Sequence, residues 1–225
     1  MRPEGNRNPS YSYSTFDRLA ERYDSWFEQA GRLIFSTEVR AFRSVLPMLP
    51  EPWLEIGVGS GRFARALGID VGIDPSRQLL EMAKQRGIDV VLARGEDAVF
   101  KNETFGTVFL IVTICFLDNP MKVLHEIHRI LTPEGRVVLG LVLWDSPWGS
   151  YYREKKAEGH PFYDYATFFS MDEMSKLLEE TDFTIEKTVS TLFQEPEKVK
   201  HIEKARKGYS ANAGFTILLA RKTGC

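Results

Sequence analysis

Trp53-Leu54-Glu55-Ile56-Gly57-Val58-Gly59-Ser60-Gly61 is an apolar lead-in that runs into three alternating glycines, and Asp74 follows thirteen residues after Gly61. Glycine has no Cβ, so its backbone can take φ > 0 and come close to a ligand. A helix starting after such a turn aims unpaired N–H groups at the same point. Asp74 ends the apolar run Val71-Gly72-Ile73 and precedes Pro75. An acid at the end of a second strand can accept hydrogen bonds from ribose hydroxyls. Strand, glycine turn, helix and acid-terminated strand together read as a nucleoside-binding unit.

The glycine spacing narrows the ligand. A dinucleotide fingerprint, G-x-G-x-x-G, would need its third glycine at position 62, which is Arg62; here it falls at Gly61. No G-x-x-x-x-G-K-[ST] phosphate loop occurs in the chain. Glu55 stands just before the turn, where a carboxylate opposes a pyrophosphate and favours a cationic group. The residues point to an adenosyl ligand carrying an ammonium group.

Outward from this stretch, strand-like and helix-like runs alternate. Trp53–Ile56, Val71–Ile73, Val90–Leu92, Phe105–Ile114 and Arg136–Leu143 read as strands, the last two apolar on both faces as buried parallel strands are. Gly61–Leu67, Ser76–Arg86 and Met121–Leu131 read as the intervening helices. The expected fold is α/β: a Rossmann-like, doubly wound, mostly parallel sheet. Before it, Phe16, Leu19, Tyr23, Trp26 and Phe27 recur at helical spacing, and Ser36–Leu46 reads as a second helix. Residues 1–14 are polar, with Pro3, Gly5 and Pro9, and are expected to be mobile unless they close over a ligand, bringing Tyr11 and Tyr13 with them. After Trp144 the pattern changes: 145–170 is aromatic-rich and reads as irregular. Met171–Glu180 is a helix opened by a Ser170/Glu173 capping box, and Phe183–Leu192 and Phe215–Ala220 are the last strands. The 225 residues are expected to form a single domain: a helical cap (1–50), a cofactor-binding core (51–144), and a substrate-side insertion with C-terminal strands (145–225).

The motifs, taken in order, resemble the class I S-adenosylmethionine-dependent methyltransferases. Leu54–Gly61 is similar to the family's first motif, and Gly72-Ile73-Asp74-Pro75-Ser76 to its second. Ala93-Arg94-Gly95-Glu96-Asp97 resembles the segment that lines the adenine, with Arg94 where the family commonly has Asp. Glu126-Ile-His-Arg129-Ile-Leu131-Thr-Pro133-Glu-Gly135 is similar to the turn before the fifth strand. The resemblance spans Trp53 to Trp144. It implies a seven-stranded sheet with an antiparallel C-terminal edge hairpin, the closing strand inserted between its neighbours, and S-adenosyl-L-methionine as cofactor. It implies cofactor contacts at Glu55, Gly57, Gly59, Gly61, Asp74, Pro75, Gly95, Glu96 and Thr113. Thr113-Ile114-Cys115-Phe116 ends the fourth strand without the Asn-Pro-Pro-Tyr signature of amide and adenine methylases, which argues against DNA bases or glutamine as acceptors.

The expected activity is methyl transfer by in-line displacement to a small-molecule nitrogen or oxygen nucleophile, with amines among the candidates. Tyr23, Phe27, Phe116, Trp144 and Tyr163 are the expected substrate-side residues, since aromatic walls suit apolar or cationic acceptors. His160, within the aromatic segment, is the candidate general base. A nicotinamide dehydrogenase is the rival disfavoured by Gly61 and Glu55; a cofactor-binding protein without transfer is the other.

Composition bounds the rest. A formal net charge of −2 offers no global field for nucleic acid or anionic lipid. Cys115 and Cys225 make no disulfide framework, as expected of a reducing, cytoplasmic setting. The four histidines and two cysteines lack metal spacing, so no metal is expected. No N-terminal apolar segment suggests a secretory signal, and no apolar run approaches the roughly 18 residues of a membrane span. Lys198, Lys200, Lys204, Arg206 and Lys207, interleaved with Glu197 and Glu203, read as a solvated helix face.

Overall fold

The computed structural model describes residues 11–224, with side chains from residue 14 onward. The expected closure of residues 1–10 lies outside the described residues, as do the side chains of Tyr11 and Tyr13.

Eight strands form one sheet: β1 (Trp53–Ile56), β2 (Val71–Asp74), β3 (Asp89–Leu92), β4 (Phe105–Ile111), β5 (Leu131–Leu141), β6 (Phe183–Thr191), β7 (Arg206–Lys207) and β8 (Phe215–Lys222). Their order is β3-β2-β1-β4-β5-β8-β6-β7. β1 to β5 run parallel, and β8 enters antiparallel between β5 and β6. This is the expected topology, with β7 as a short eighth strand paired to β6 at Val189 and Ser190. The chain winds outward from β1 in one direction, then restarts at β4 in the other. The carboxyl ends of β1 and β4 therefore splay apart into a crevice, the switch point where open α/β sheets bind ligands.

Both faces of the sheet are covered, which explains why β4 is buried at every position. Successive strand side chains point to opposite faces. Phe109 and Ile111 join one cluster with α3 (Arg32–Arg43), α4 (Arg62–Leu67) and α5 (Arg77–Gln85). Val108 and Leu110 join the other with α6 (Pro120–Ile130) and α8 (Met171–Glu179). Gly140 of β5 is glycine because a Cβ there would lie 2.5 Å from the Phe42 ring. Helix starts follow local chemistry. Ser76 Oγ accepts from Leu79 N–H at 3.2 Å, Asn119 Oδ1 from Lys122 N–H at 2.9 Å, and Ser170 and Glu173 form the expected capping box.

Three segments differ from the sequence expectation. The N-terminal aromatic stretch is two helices, α1 (Tyr11–Arg18) and α2 (Ala20–Trp26), broken at Leu19. The stretch read as irregular contains α7 (Pro147–Ala157), capped by Ser146 Oγ on Gly149 N–H at 2.9 Å with Pro147 at the first helical position. The basic run near 198–207 is not helical. Glu203 instead accepts from Phe193 and Gln194 N–H at 2.8 and 2.9 Å, folding the loop back, and Arg206–Lys207 become β7. The Glu203 carboxylate thus satisfies two backbone donors of the loop after β6, and pairing with β6 takes up the end of the run.

Candidate functional site

A cavity of about 430 Å³ occupies the crevice above β1 and β4. Its floor is the glycine turn. Gly57 and Val58 N–H donate to Ile73 O at 2.8 and 3.0 Å, which draws the turn onto the end of β2. Gly57, Gly59 and Gly61 have φ of 75°, 52° and 78°, a region where side chains are strained. A Cβ on Gly57 would also lie 2.3 Å from Thr113 Cγ2. Thr113 Oγ–H bonds Ile111 O at 3.0 Å, with Gly57 O at 3.3 Å. The turn and the end of β4 therefore share one wall.

Asp74 ties the turn together. Its Oδ2 accepts from Gly59 N–H at 2.9 Å and its Oδ1 from Ser76 N–H at 2.8 Å. Burial pushes this carboxyl up to about 6, against the lowering effect of those two N–H groups. Each oxygen retains a second lone-pair direction, so Asp74 can receive a diol from the cavity, whose wall it lines with Pro75. Gly95 and Glu96 line the next stretch of wall. Glu96 is buried and bonded to Arg94 Nε and Asn119 N–H, both at 3.4 Å, while Arg94 also pairs with Asp118.

Three expected contacts fall elsewhere. Glu55 lies behind the floor, 2% exposed. One oxygen accepts from Ala64 N–H in the first turn of α4, and burial, then the Asp74 charge, holds the carboxyl well above its usual range. Its Oε2 is buried with no partner among the described residues. Gly61 caps α4 and lets it approach α5, where a Cβ would stand 3.0 Å from Ala83. Trp144 does not line the cavity; the Arg153 guanidinium covers its ring at 3.8 Å. The strand has already ended at Leu141, so the chain carries Trp144 past the crevice.

The roof comes from α1 and α2. Phe16 stacks on Phe162 with ring centroids 5.1 Å apart and meets Phe116 and Tyr23 edge-on at 5.1 and 5.4 Å. Tyr23 lies over the turn, its ring 3.6 Å from where a Gly59 Cβ would sit, and stacks edge-on with Phe27 at 5.3 Å. Burial, then the Asp74 and Glu55 charges, push its phenol far up. Two carboxylates hold the roof down. Asp17 Oδ1 accepts from Ser76 Oγ–H at 2.8 Å and Gln78 N–H at 2.9 Å. Asp24 pairs with Arg62 at 2.6 Å and Arg86 at 2.8 Å. Burial alone would raise Asp24, but hydrogen bonds from these guanidinium groups outweigh it and hold the carboxyl down at about 2.

The remaining wall is built from α3, α7 and the turn after it. It contains Glu38, Tyr152, His160, Phe162, Tyr163 and Phe168. His160 stacks on Tyr163 at 4.5 Å, and its Nδ1 is buried with no partner among the described residues. Burial, then Arg22 and Lys155, lower its pKa, which keeps the imidazole neutral near pH 7. Phe16, Glu38, Tyr152 and Phe162 escaped sequence reasoning. For Glu38 a signal existed: it interrupts the apolar stripe Ile34, Ala41, Phe42, Val45 at helical spacing.

Among the described residues, no group of three or more His, Cys, Asp or Glu is placed to hold a metal ion, and no helix is long and apolar enough to cross a membrane.

Known proteins share this architecture. A methyltransferase-domain family profile matches residues 54–139. A Thermotoga maritima crystal structure, of a SAM-dependent methyltransferase described as a "possible histamine N-methyltransferase", superposes with a TM-score of 0.88. It is 34% identical, over 94% of this chain and all of that one. An uncharacterized protein of Methanocaldococcus jannaschii is 37% identical across 93% of this chain and 99% of its own length. A demethylmenaquinone methyltransferase of Thermotoga maritima is 26% identical over 60% of this chain and 63% of its own length.

Proposed function

The chain belongs to the S-adenosylmethionine-dependent methyltransferases, and from that premise we propose that it methylates a small molecule through a nitrogen or oxygen nucleophile, an amine above all. One observation carries the reading: the glycine floor with Asp74 is continuous with an enclosed, aromatic-roofed wall where an acceptor fits. When bound, the cofactor supplies an electrophilic methyl group on a sulfonium that leaves as a neutral thioether. The protein therefore needs mainly to align the reactants and exclude water.

Asp74 holds the ribose, with Pro75 beside it, and Gly95 and Glu96 flank the adenine. Gly57 and Gly59 let the methionine end lie against backbone. Glu55 acts from beneath: its unpartnered oxygen makes the floor more hospitable to a cation than to a pyrophosphate. Thr113 and Phe116, in the turn that follows β4, border the reacting centre. Tyr23, Phe27 and Tyr163 enclose the acceptor, and Phe16 with Phe162 closes the roof over it. His160 takes the proton that the acceptor loses, since its imidazole is neutral and Nδ1 has no other partner.

The test is an acceptor screen with methyl-labelled cofactor, using arylalkylamines (histamine among them), phenols, quinone precursors and carboxylic acids. Label is expected on an amine. Transfer confined to carbon or to carboxylates would overturn the nucleophile assignment.

A further inference from the structure

Glu38 lies in the cavity wall on α3, 6% exposed. Among the described residues its carboxyl makes no hydrogen bond and no ion pair, and burial alone pushes it up to about 8. Two phenols line the same wall. Burial raises the phenols of both Tyr152 and Tyr163 and the Glu38 charge adds to the rise, their ring centroids lying 4.7 Å apart. Asp74 lines the cavity at the glycine floor instead, and neither its charge nor that of Glu55 contributes to the rise at Glu38. The wall thus holds a second acidic end, separate from the one that faces the nucleoside.

A carboxyl without a partner in an aromatic wall opposes folding, because ionisation there is costly and hydrogen bonds are missing. Leu would pack at that position without the penalty. Such a group gains its partner when a ligand supplies one. Flanking phenol rings add a face-on attraction for cations while rejecting a second anion.

We infer that Glu38 is the specificity-determining residue on the acceptor side: it pairs with a cationic nitrogen of the acceptor, an ammonium or protonated heterocycle, seated between Tyr152 and Tyr163. This rests on the methyl-transfer reading above and extends it by naming the acceptor's charge and the group that reads it. A neutral acceptor of the same shape would leave Glu38 buried and unpaired.

The test is calorimetric titration of the full chain saturated with S-adenosylhomocysteine. The probes are 2-phenylethylamine and histamine, with 2-phenylethanol as the uncharged counterpart. Wild-type protein should bind an amine at least about tenfold more tightly than the alcohol, the range of a charge-assisted hydrogen bond. Glu38→Gln should lose that preference, with alcohol and S-adenosylhomocysteine affinities within about twofold of wild type, the scatter expected for an uninvolved site. Glu38→Asp, which retains the charge on a shorter stem, should keep part of the preference. Amine preference surviving in Glu38→Gln would overturn the inference, as would wild-type protein that binds neither amine better than the alcohol. Failure of wild-type protein to bind S-adenosylhomocysteine would instead overturn the methyl-transfer reading beneath it.

Discussion

Raising the pH from 6.5 to 8 should destabilise the ligand-free protein, in part through Glu38. Burial moves this carboxyl from its ordinary 4.5 to about 8, and at 6% exposure solvent screens it little. In the unfolded chain the same group is ionised above about pH 5. Between those values the folded state keeps a proton that the unfolded state has released. Stability therefore falls as pH rises, by about 1.4 kcal/mol per pH unit. From pH 6.5 to 8 that amounts to about 2 kcal/mol, and the decline ends above about pH 8, where both states are ionised. Asp74, pushed up to about 6, acts with the same sign but has finished most of its effect below this window. Glu55 is raised too, by burial and then by Asp74, so wild-type protein alone does not isolate one group. The difference from Glu38→Gln does. Urea unfolding of both proteins at half-unit pH steps should show the variant gaining about 2 kcal/mol on wild type across the window. Parallel curves would refute an unpaired, ionisable carboxyl in the wall. A cationic partner for Glu38 in the folded protein would give the same parallel curves, because the carboxylate would then be ionised in both states across the window.

Asp74→Ala should weaken S-adenosylhomocysteine binding by about tenfold or more, since it removes the diol acceptor and releases Gly59 N–H; unchanged affinity by calorimetry would refute the ribose assignment. Gly57→Ala should cost about 1–3 kcal/mol from its positive φ alone, plus a clash with Thr113. Adding Thr113→Ala should recover the clash and leave the φ strain, a pattern that denaturant unfolding resolves. Asp24→Asn should loosen α2 from Arg62 and Arg86 at a cost of about 1–3 kcal/mol, and raise the cofactor Kd severalfold; a tight cofactor complex in this variant would show that the roof is not held by those pairs. His160→Ala should leave cofactor affinity intact and slow turnover by about a hundredfold. A normal rate would remove it as the base.

Much of the glycine floor was legible in the sequence, because it is written in local chemistry. Gly57 and Gly59 take the positive φ that their spacing anticipates, and Asp74 ends β2 as its apolar lead-in demands. The Ser170/Glu173 cap needs only four residues to form. The acceptor side was harder to read. The dense aromatics of 145–170 masked the period of α7, whose rings serve both the core and the cavity, and the segment read as irregular. Trp144 and Tyr163 looked alike as aromatics in one segment, but one lies under Arg153 and the other in the cavity wall.

Sequence by itself determined the alternating strands and helices of the parallel half, the glycine turn and its acid, because neighbouring residues set backbone conformation and hydrogen-bond supply. Tertiary structure alone decided which face Glu38 presents, that Glu55 braces the floor from behind, and that Phe16 meets Phe162 across 146 positions. Burial and pairing belong to the packed chain: a carboxyl's environment is made by segments distant in sequence, so its charge and its purpose emerge only when they meet.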